Sequence, residues 1–144
     1  MKVTIGPYKD DDSPRREEIV IHDYDTWSAD HTLSLIILPL LKKIKELKHG
    51  SAVVDQEDVP QNLRTTYPAM YSNQLDLFNT YEEIGDMEDP LIHARWDYVL
   101  DEMIWTHEQL VEDRVTESYD NAEWDQRFKN GLNLFGKYYT ALWT

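Results

Sequence analysis

Apolar positions recur at helical spacing in three stretches of the chain and alternate with polar ones only near its start. Leu33, Ile36, Ile37, Leu40, Leu41, Ile44 and Leu47 return every three to four residues, which predicts a helix over 29–49. Leu35 and Leu38 widen that face, so its first half is expected to be buried nearly all round. Ser28 suits the N-cap and Asp30 the first turn, while Lys48 and His49 suit the negative end and Gly50 a left-handed C′ position. Pro39 removes a backbone donor, so a kink or break is expected near Leu35 to Leu38.

The second helical stretch opens with Asp89 as cap and Pro90 at the first position and runs to about Val111. Trp96, Val99, Leu100, Met103, His107 and Leu110 form its predicted buried stripe, with Tyr98 and Ile104 on the flanks. The third is predicted over about 120–142, capped by Asp120, with Trp124, Phe128, Leu132, Phe135, Tyr139 and Leu142 facing the core. Gly131 and Gly136 lie inside it, and each costs about 1 kcal/mol against Ala, so a close neighbour is expected there.

Lys2 to Ile5 and Glu18 to His22 read as two strands joined across Gly6, Pro7, Asp10 to Asp12, Ser13 and Pro14. Such a hairpin is marginal alone and should pack on something. Residues 51–64 read as a loop in which Asp58-Val59-Pro60 opens one helical turn ending near Arg64. Leu75, Leu77, Phe78, Tyr81 and Ile84 suggest a short helix before Gly85. The fold class is therefore mainly α (α+β), three major helices with a small N-terminal β-hairpin. We read 1–144 as a single domain, hairpin over 1–24 and helical body over 25–144.

Charge adds what periodicity does not. The 144 residues carry 14 Lys and Arg against 28 Asp and Glu, a net −14. Residues 81–125 hold 15 of the acids and only Arg95 and Arg114 as bases, net −13. An opposite block, Lys42, Lys43, Lys45 and Lys48, faces only Glu46. The simpler account is two solvated helix faces that partly neutralise each other. The functional account is a negative surface that repels nucleic acid and attracts a basic protein. With no Cys, disulfides, thiol nucleophiles and cysteine metal sites are excluded. No apolar run approaches a membrane span and nothing marks the start for secretion, which suggests a soluble intracellular protein.

Four strings stand in order along the chain: 24–50 (YDTWSADHTLSLIILPLLKKIKELKHG), 54–64 (VDQEDVPQNLR), 93–109 (HARWDYVLDEMIWTHEQ) and 128–143 (FKNGLNLFGKYYTALW). Together they resemble a family of small acidic proteins encoded by tailed bacteriophages, over most of the chain from Asp23 onward and more weakly at 65–88 and 112–123. The resemblance implies a phage gene product in the cytoplasm of an infected bacterium and brings no activity or ligand with it. Relatives often carry an aromatic residue at the position of His107, which implies a packing role there.

Candidate chemistry is sparse. Asp97, Asp101 and Glu108 share a helix face, and with Glu102 and His93 they could ligate Mg²⁺ or Mn²⁺. Glu-x-x-His occurs once, from Glu46 to His49, where the di-metal helix motif needs one on each of two helices, so the motif is incomplete and no metal or other cofactor is assigned. Asp30-His31 lacks companion ligands. No P-loop, Gly-x-Gly-x-x-Gly or Gly-x-Ser-x-Gly occurs, so no catalytic residue is assigned. Lys42, Lys45, Lys48, His49, Arg95, Trp96, Arg127, Lys137 and Tyr138 set cations beside aromatic rings, as a phosphorylated base would require. Internal salt bridges to the acidic helix account for the same residues more simply.

The first expectation is a non-enzymatic phage accessory protein that binds and inhibits a host protein with a basic surface. The host target would be a defence or nucleic-acid-handling protein, and the docking face Asp97, Asp101, Glu108, Glu112 and Asp113, in a DNA-mimicking mode at its sharpest. The alternative is an anti-defence protein that sequesters a nucleotide-type immune signal on the cation and aromatic set; a metal-dependent hydrolase ranks third. Direct nucleic-acid or membrane binding is not expected, and the aromatic-rich C-terminus is compatible with a homodimer.

Overall fold

The computed structural model describes residues 1–9, 13–64, 89–114 and 121–144. The expected helix around Leu75 to Ile84 and the Asp120 cap lie outside the described residues. Strands β1 (Lys2–Ile5) and β2 (Glu17–Val20) pair antiparallel, with Lys2 opposite Val20 and Ile5 opposite Glu17. Beyond the last pair, Gly6 N–H donates to Arg16 O at 2.8 Å and Arg15 Nε donates back to Gly6 O at 2.8 Å. Ile5, Ile19 and Val20 remain exposed, so this small sheet contributes little to the core.

Helix α1 (Ala29–Leu47) follows a 3-10 turn at Asp23–Thr26. Ser28 occupies the N-cap position, but its side chain makes no capping bond; its carbonyl accepts from Thr32 N–H at 2.9 Å. The helix is continuous through Pro39, so the expected break is absent. Proline forfeits one hydrogen bond, and the packing of Ser34, Leu41 and Ile44 on either side outweighs it. No left-handed glycine ends the helix: Lys48 turns directly to extended backbone (φ −55°, ψ 133°), and no glycine among the described residues has positive φ.

Two short 3-10 turns, Gln56–Asp58 and Gln61–Leu63, follow, the second where one helical turn was expected. Val54 and Val59 enter the core from this loop. Its polar side is clamped to the far end of the chain. The Tyr138 hydroxyl donates to Asp58 at 2.5 Å and accepts from Asp55 N–H at 2.9 Å. Lys137 Nζ bonds the Asp55 and Asp58 carboxylates at 2.7 and 2.6 Å. Burial first, then the bond to Asp58, pushes the Tyr138 phenol up to about 12.

Helix α2 (Ile92–Val111) is the centre of the molecule. Ahead of it, the Asp89 carboxylate accepts from Leu91 N–H at 3.0 Å and pairs with Arg95, so Asp89 shapes the entry turn although Leu91 holds the N-cap position. The six residues of its expected stripe are all buried. Arg95, Glu102, Thr106 and Gln109 are buried too, because neighbours cover two sides of the helix. Helix α1 runs antiparallel on one side, where Ser34 meets His107 and Lys48 meets Asp97. Helix α3 (Ala122–Lys137) covers the other, where Trp124 meets Gln109 and Tyr138 meets the Trp96 ring.

Helix α3 is capped by Asn121, whose side chain accepts from Trp124 N–H at 3.0 Å. It stops at Lys137 and passes into a 3-10 turn at Tyr139–Ala141. Its buried face is Trp124, Phe128, Gly131, Leu134 and Tyr138, while Leu132 and Tyr139 point outward. The expected face was rotated by one position because it skipped Gly131. A Cβ at Gly131 would sit 1.9 Å from Thr106 Oγ1 and 2.8 Å from Glu102 O. The bare backbone of α3 is what lets it lie against α2.

Gly131→Ala is therefore expected to lower stability by about 1–3 kcal/mol through overpacking. Nothing lies within 4 Å of a Cβ at Gly136, so Gly136→Ala is expected to raise stability by about 0.5–1 kcal/mol through helix propensity. Urea unfolding of the two variants checks the opposite signs.

Candidate functional site

The acidic face of α2 is not free. Lys42 Nζ reaches Glu108 at 2.7 Å, Lys45 pairs with Asp101, and Lys48 Nζ reaches Asp97 at 3.2 Å. Three of the five residues expected to dock a partner are thus held by the lysines of α1. The remaining two, Glu112 and Asp113, lie exposed past the end of α2. Glu112 makes a loose pair with Arg114 at 3.7 Å. Asp113 makes no ion pair among the described residues and takes a left-handed conformation (φ 55°), which turns the chain out of the helix. The five do not form one continuous negative face.

The cation and aromatic set fares similarly. Besides the three lysines, Arg95 is buried against Asp89 and donates to Leu63 O at 3.2 Å. Arg127 forks onto Glu102 at 3.0 and 2.8 Å and lies 4.0 Å over the Trp105 ring. Those bonds raise its pKa and satisfy a carboxylate that α2 buries. Lys137 is clamped by Asp55 and Asp58. Trp96 and Tyr138 are core residues, and His49 is exposed. Each of these six cations already has a carboxylate partner, so they are not grouped around a space for a phosphate.

The metal ligands considered from the sequence are equally committed. Glu102 holds Arg127, and His93 Nδ1 lies 2.8 Å from Ser51 Oγ. Among the described residues no group of three or more His, Asp or Glu is placed to hold a metal ion. Among them, too, no helix is long and apolar enough to cross a membrane.

Besides Ser51 and His93, a second Ser–His pair has hydrogen-bond geometry: Ser34 Oγ and His107 Nδ1 are 2.9 Å apart. Both are buried, so no substrate reaches them. His107 packs edge-on against Phe135 with ring centroids 5.0 Å apart, and its Nε2 has no partner. A proton on Nδ1 would be donated to Ser34 and leave only an unused lone pair on Nε2, which costs less than an orphaned N–H. Burial pushes the His107 pKa below the ordinary histidine value.

The unassigned feature lies at the end of the molecule where α1 starts and α2 ends. Ser28, Asp30, His31, Leu110 and Asp113 line a shallow cleft of about 330 Å³. His31 Nδ1 sits 2.9 Å from Leu110 O, so the imidazole serves the end of α2. Asp30, like Asp113, makes no ion pair among the described residues. Trp27, one residue before Ser28, is 92% exposed. The sequence reading missed Trp27 because it falls between the hairpin and the first helix, where no periodicity assigns it a face. Its signal was a tryptophan flanked by Thr26 and Ser28 with no apolar neighbour at core spacing.

No protein-family model, curated protein or solved structure matches this chain. The functional reading therefore rests on these residues.

Two outcomes test the electrostatics. Lys45→Glu and Asp101→Lys should each cost about 0.5–1 kcal/mol, and the double swap should recover most of it, measured by urea unfolding as a double-mutant cycle. The neutral His107 contributes fully above the unfolded histidine pKa, and that contribution fades as pH falls below it. From pH 7 to pH 5 stability should drop by at most about 1.4 kcal/mol per pH unit from this group, and His107→Phe should flatten the profile in that window.

Proposed function

We propose that the chain is a non-enzymatic accessory protein of a tailed bacteriophage, working in the cytoplasm of the infected bacterium by binding and inhibiting a host protein with a basic surface. The observation that supports the docking step is a tryptophan standing in solvent beside a cleft edged by two carboxylates, Asp30 and Asp113, that have no ion-pair partner among the described residues. A protruding Trp is the side chain that most often anchors a protein interface. Carboxylates at the rim steer a basic partner and set its orientation. This reading moves the docking face from the middle of α2, where Asp97, Asp101 and Glu108 are neutralised, to its C-terminal end, where Glu112 and Asp113 remain exposed.

The role of the acids in this reading is recognition and not chemistry. Their charge draws a cationic segment in, the indole ring buries against it, and the blocked host surface loses its own anionic ligand. Tagged full-length protein should capture a basic host protein from infected cells, and recovery should fall between low and high salt. Trp27→Ala should weaken the purified pair about 30-fold, and Asp30→Asn with Asp113→Asn should slow association at low salt. Capture that is indifferent to salt and to all three substitutions would sink this reading.

A further inference from the structure

Helix α1 carries a second apolar stripe that faces away from α2. Ala29, Leu33, Ile36, Leu40, Lys43 and Leu47 follow a 4-3-4-3-4 spacing, the seam of a coiled coil over about five turns. The four large side chains among them are 38% to 56% exposed. Lys43 is the single polar residue in the seam, and its ammonium is occupied only by Glu46 on its own helix at 2.9 Å.

We propose that this stripe is the interface of a two-fold symmetric homodimer in which α1 packs antiparallel against α1 of a second copy. The direction follows from charge. A parallel pair in register would set Lys43 against its own symmetry mate inside the seam, a like-charge contact with no acid in the stripe to relieve it. An antiparallel pair centred between Ile36 and Leu40 sets Ile36 against Leu40, Leu33 against Lys43, and Ala29 against Leu47. The Lys43 stem then covers Leu33, and its ammonium points toward Asp30, one turn earlier on the other copy. Among the described residues Asp30, in the first turn of α1, makes no ion pair; near the other end Lys43 is held by Glu46 of its own helix, while Lys42, Lys45 and Lys48 are taken up by α2. The antiparallel arrangement sets Asp30 of each helix near Lys43 of the other, twice by symmetry, and also opposes the helix dipoles. A second copy of this chain is thus an occupant whose pattern and charge both match the stripe. Asp30 enters both this inference and the docking reading above, but self-association of the chain is measured without any host partner.

The contact is a single helix pair, at the small end of interface sizes, so dissociation in the micromolar range is expected. Sedimentation equilibrium of the full chain should show a monomer–dimer equilibrium. Leu40→Asp should raise the dissociation constant about 100-fold while circular dichroism keeps its helical signal. Lys43→Leu, which completes the seam, should tighten the dimer about 10-fold. The chain has no Cys, so introduced thiols report direction cleanly. Leu33→Cys combined with Lys43→Cys should oxidise to a covalent dimer, because the two positions lie about 15 Å apart on one helix and face each other across the pair. Lys43→Cys alone should not. Ready crosslinking of Lys43→Cys alone would overturn the antiparallel pairing. A chain that stays monomeric at about a hundred micromolar overturns the proposal, whether Leu40→Asp then lowers the melting temperature or a foreign protein binds there.

Discussion

The fold depends on burying α2 from two sides at once. A helix enclosed between two neighbours can show water only narrow strips, yet α2 carries Arg95, Asp97, Asp101, Glu102 and Glu108. Burying an unpaired charge costs several kcal/mol, so a covered or half-covered charge needs its own counter-charge. Arg95 has Asp89, Glu102 has Arg127, and the three acids along the α1 side have Lys42, Lys45 and Lys48. What reads along the sequence as an acidic block and a basic block is, in space, largely one set of pairs across a helix contact.

That pairing changes where the negative charge is available. All 14 bases fall within the described residues, which carry 18 acids, so this part of the chain is only four charges from neutrality. The other 10 acids belong to the stretches 10–12, 65–88 and 115–120, which contain no Lys or Arg. Within the helical body the acids left without an ion pair include Asp30 and Asp113, on the same cleft. Net charge is a legitimate guide to association and solubility, but not to which carboxylates remain free once the chain has folded.

How much could be read in advance differs between the helices. The α2 stripe was legible because five apolar residues and His107 repeat at 3.6-residue spacing and all go inside. On α3 the same reasoning chose Leu132 where Gly131 and Leu134 belong. A glycine used for close approach gives no hydrophobic signal, and here its value lies in the missing Cβ that Thr106 replaces. On α1 the width of the apolar face was legible, but its division was not. Reading it as one buried face concealed that Leu41 and Ile44 go to α2 while Leu33, Ile36, Leu40 and Leu47 stay in water. Trp27 lay beyond the reach of any periodic rule, and the pairing of three lysines with three acids required knowing that α1 and α2 run antiparallel.

The division of α1 has a physical cause. Its two apolar stripes lie roughly a quarter turn apart, and either could cover α2 about equally well, since each buries aliphatic side chains worth about 1.5–3 kcal/mol apiece. Only one rotation brings Lys42, Lys45 and Lys48 to Glu108, Asp101 and Asp97. Exposed pairs contribute at most about 1 kcal/mol each, too little to drive folding but enough together to decide between two near-equal packings. Turning α1 the other way would leave Asp97, Asp101 and Glu108 without these partners and forfeit all three contributions. The ion pairs thus set orientation and apolar burial sets stability. A helix that is apolar on two sides, with one side already committed by charge, keeps the other for whatever it meets outside its own fold.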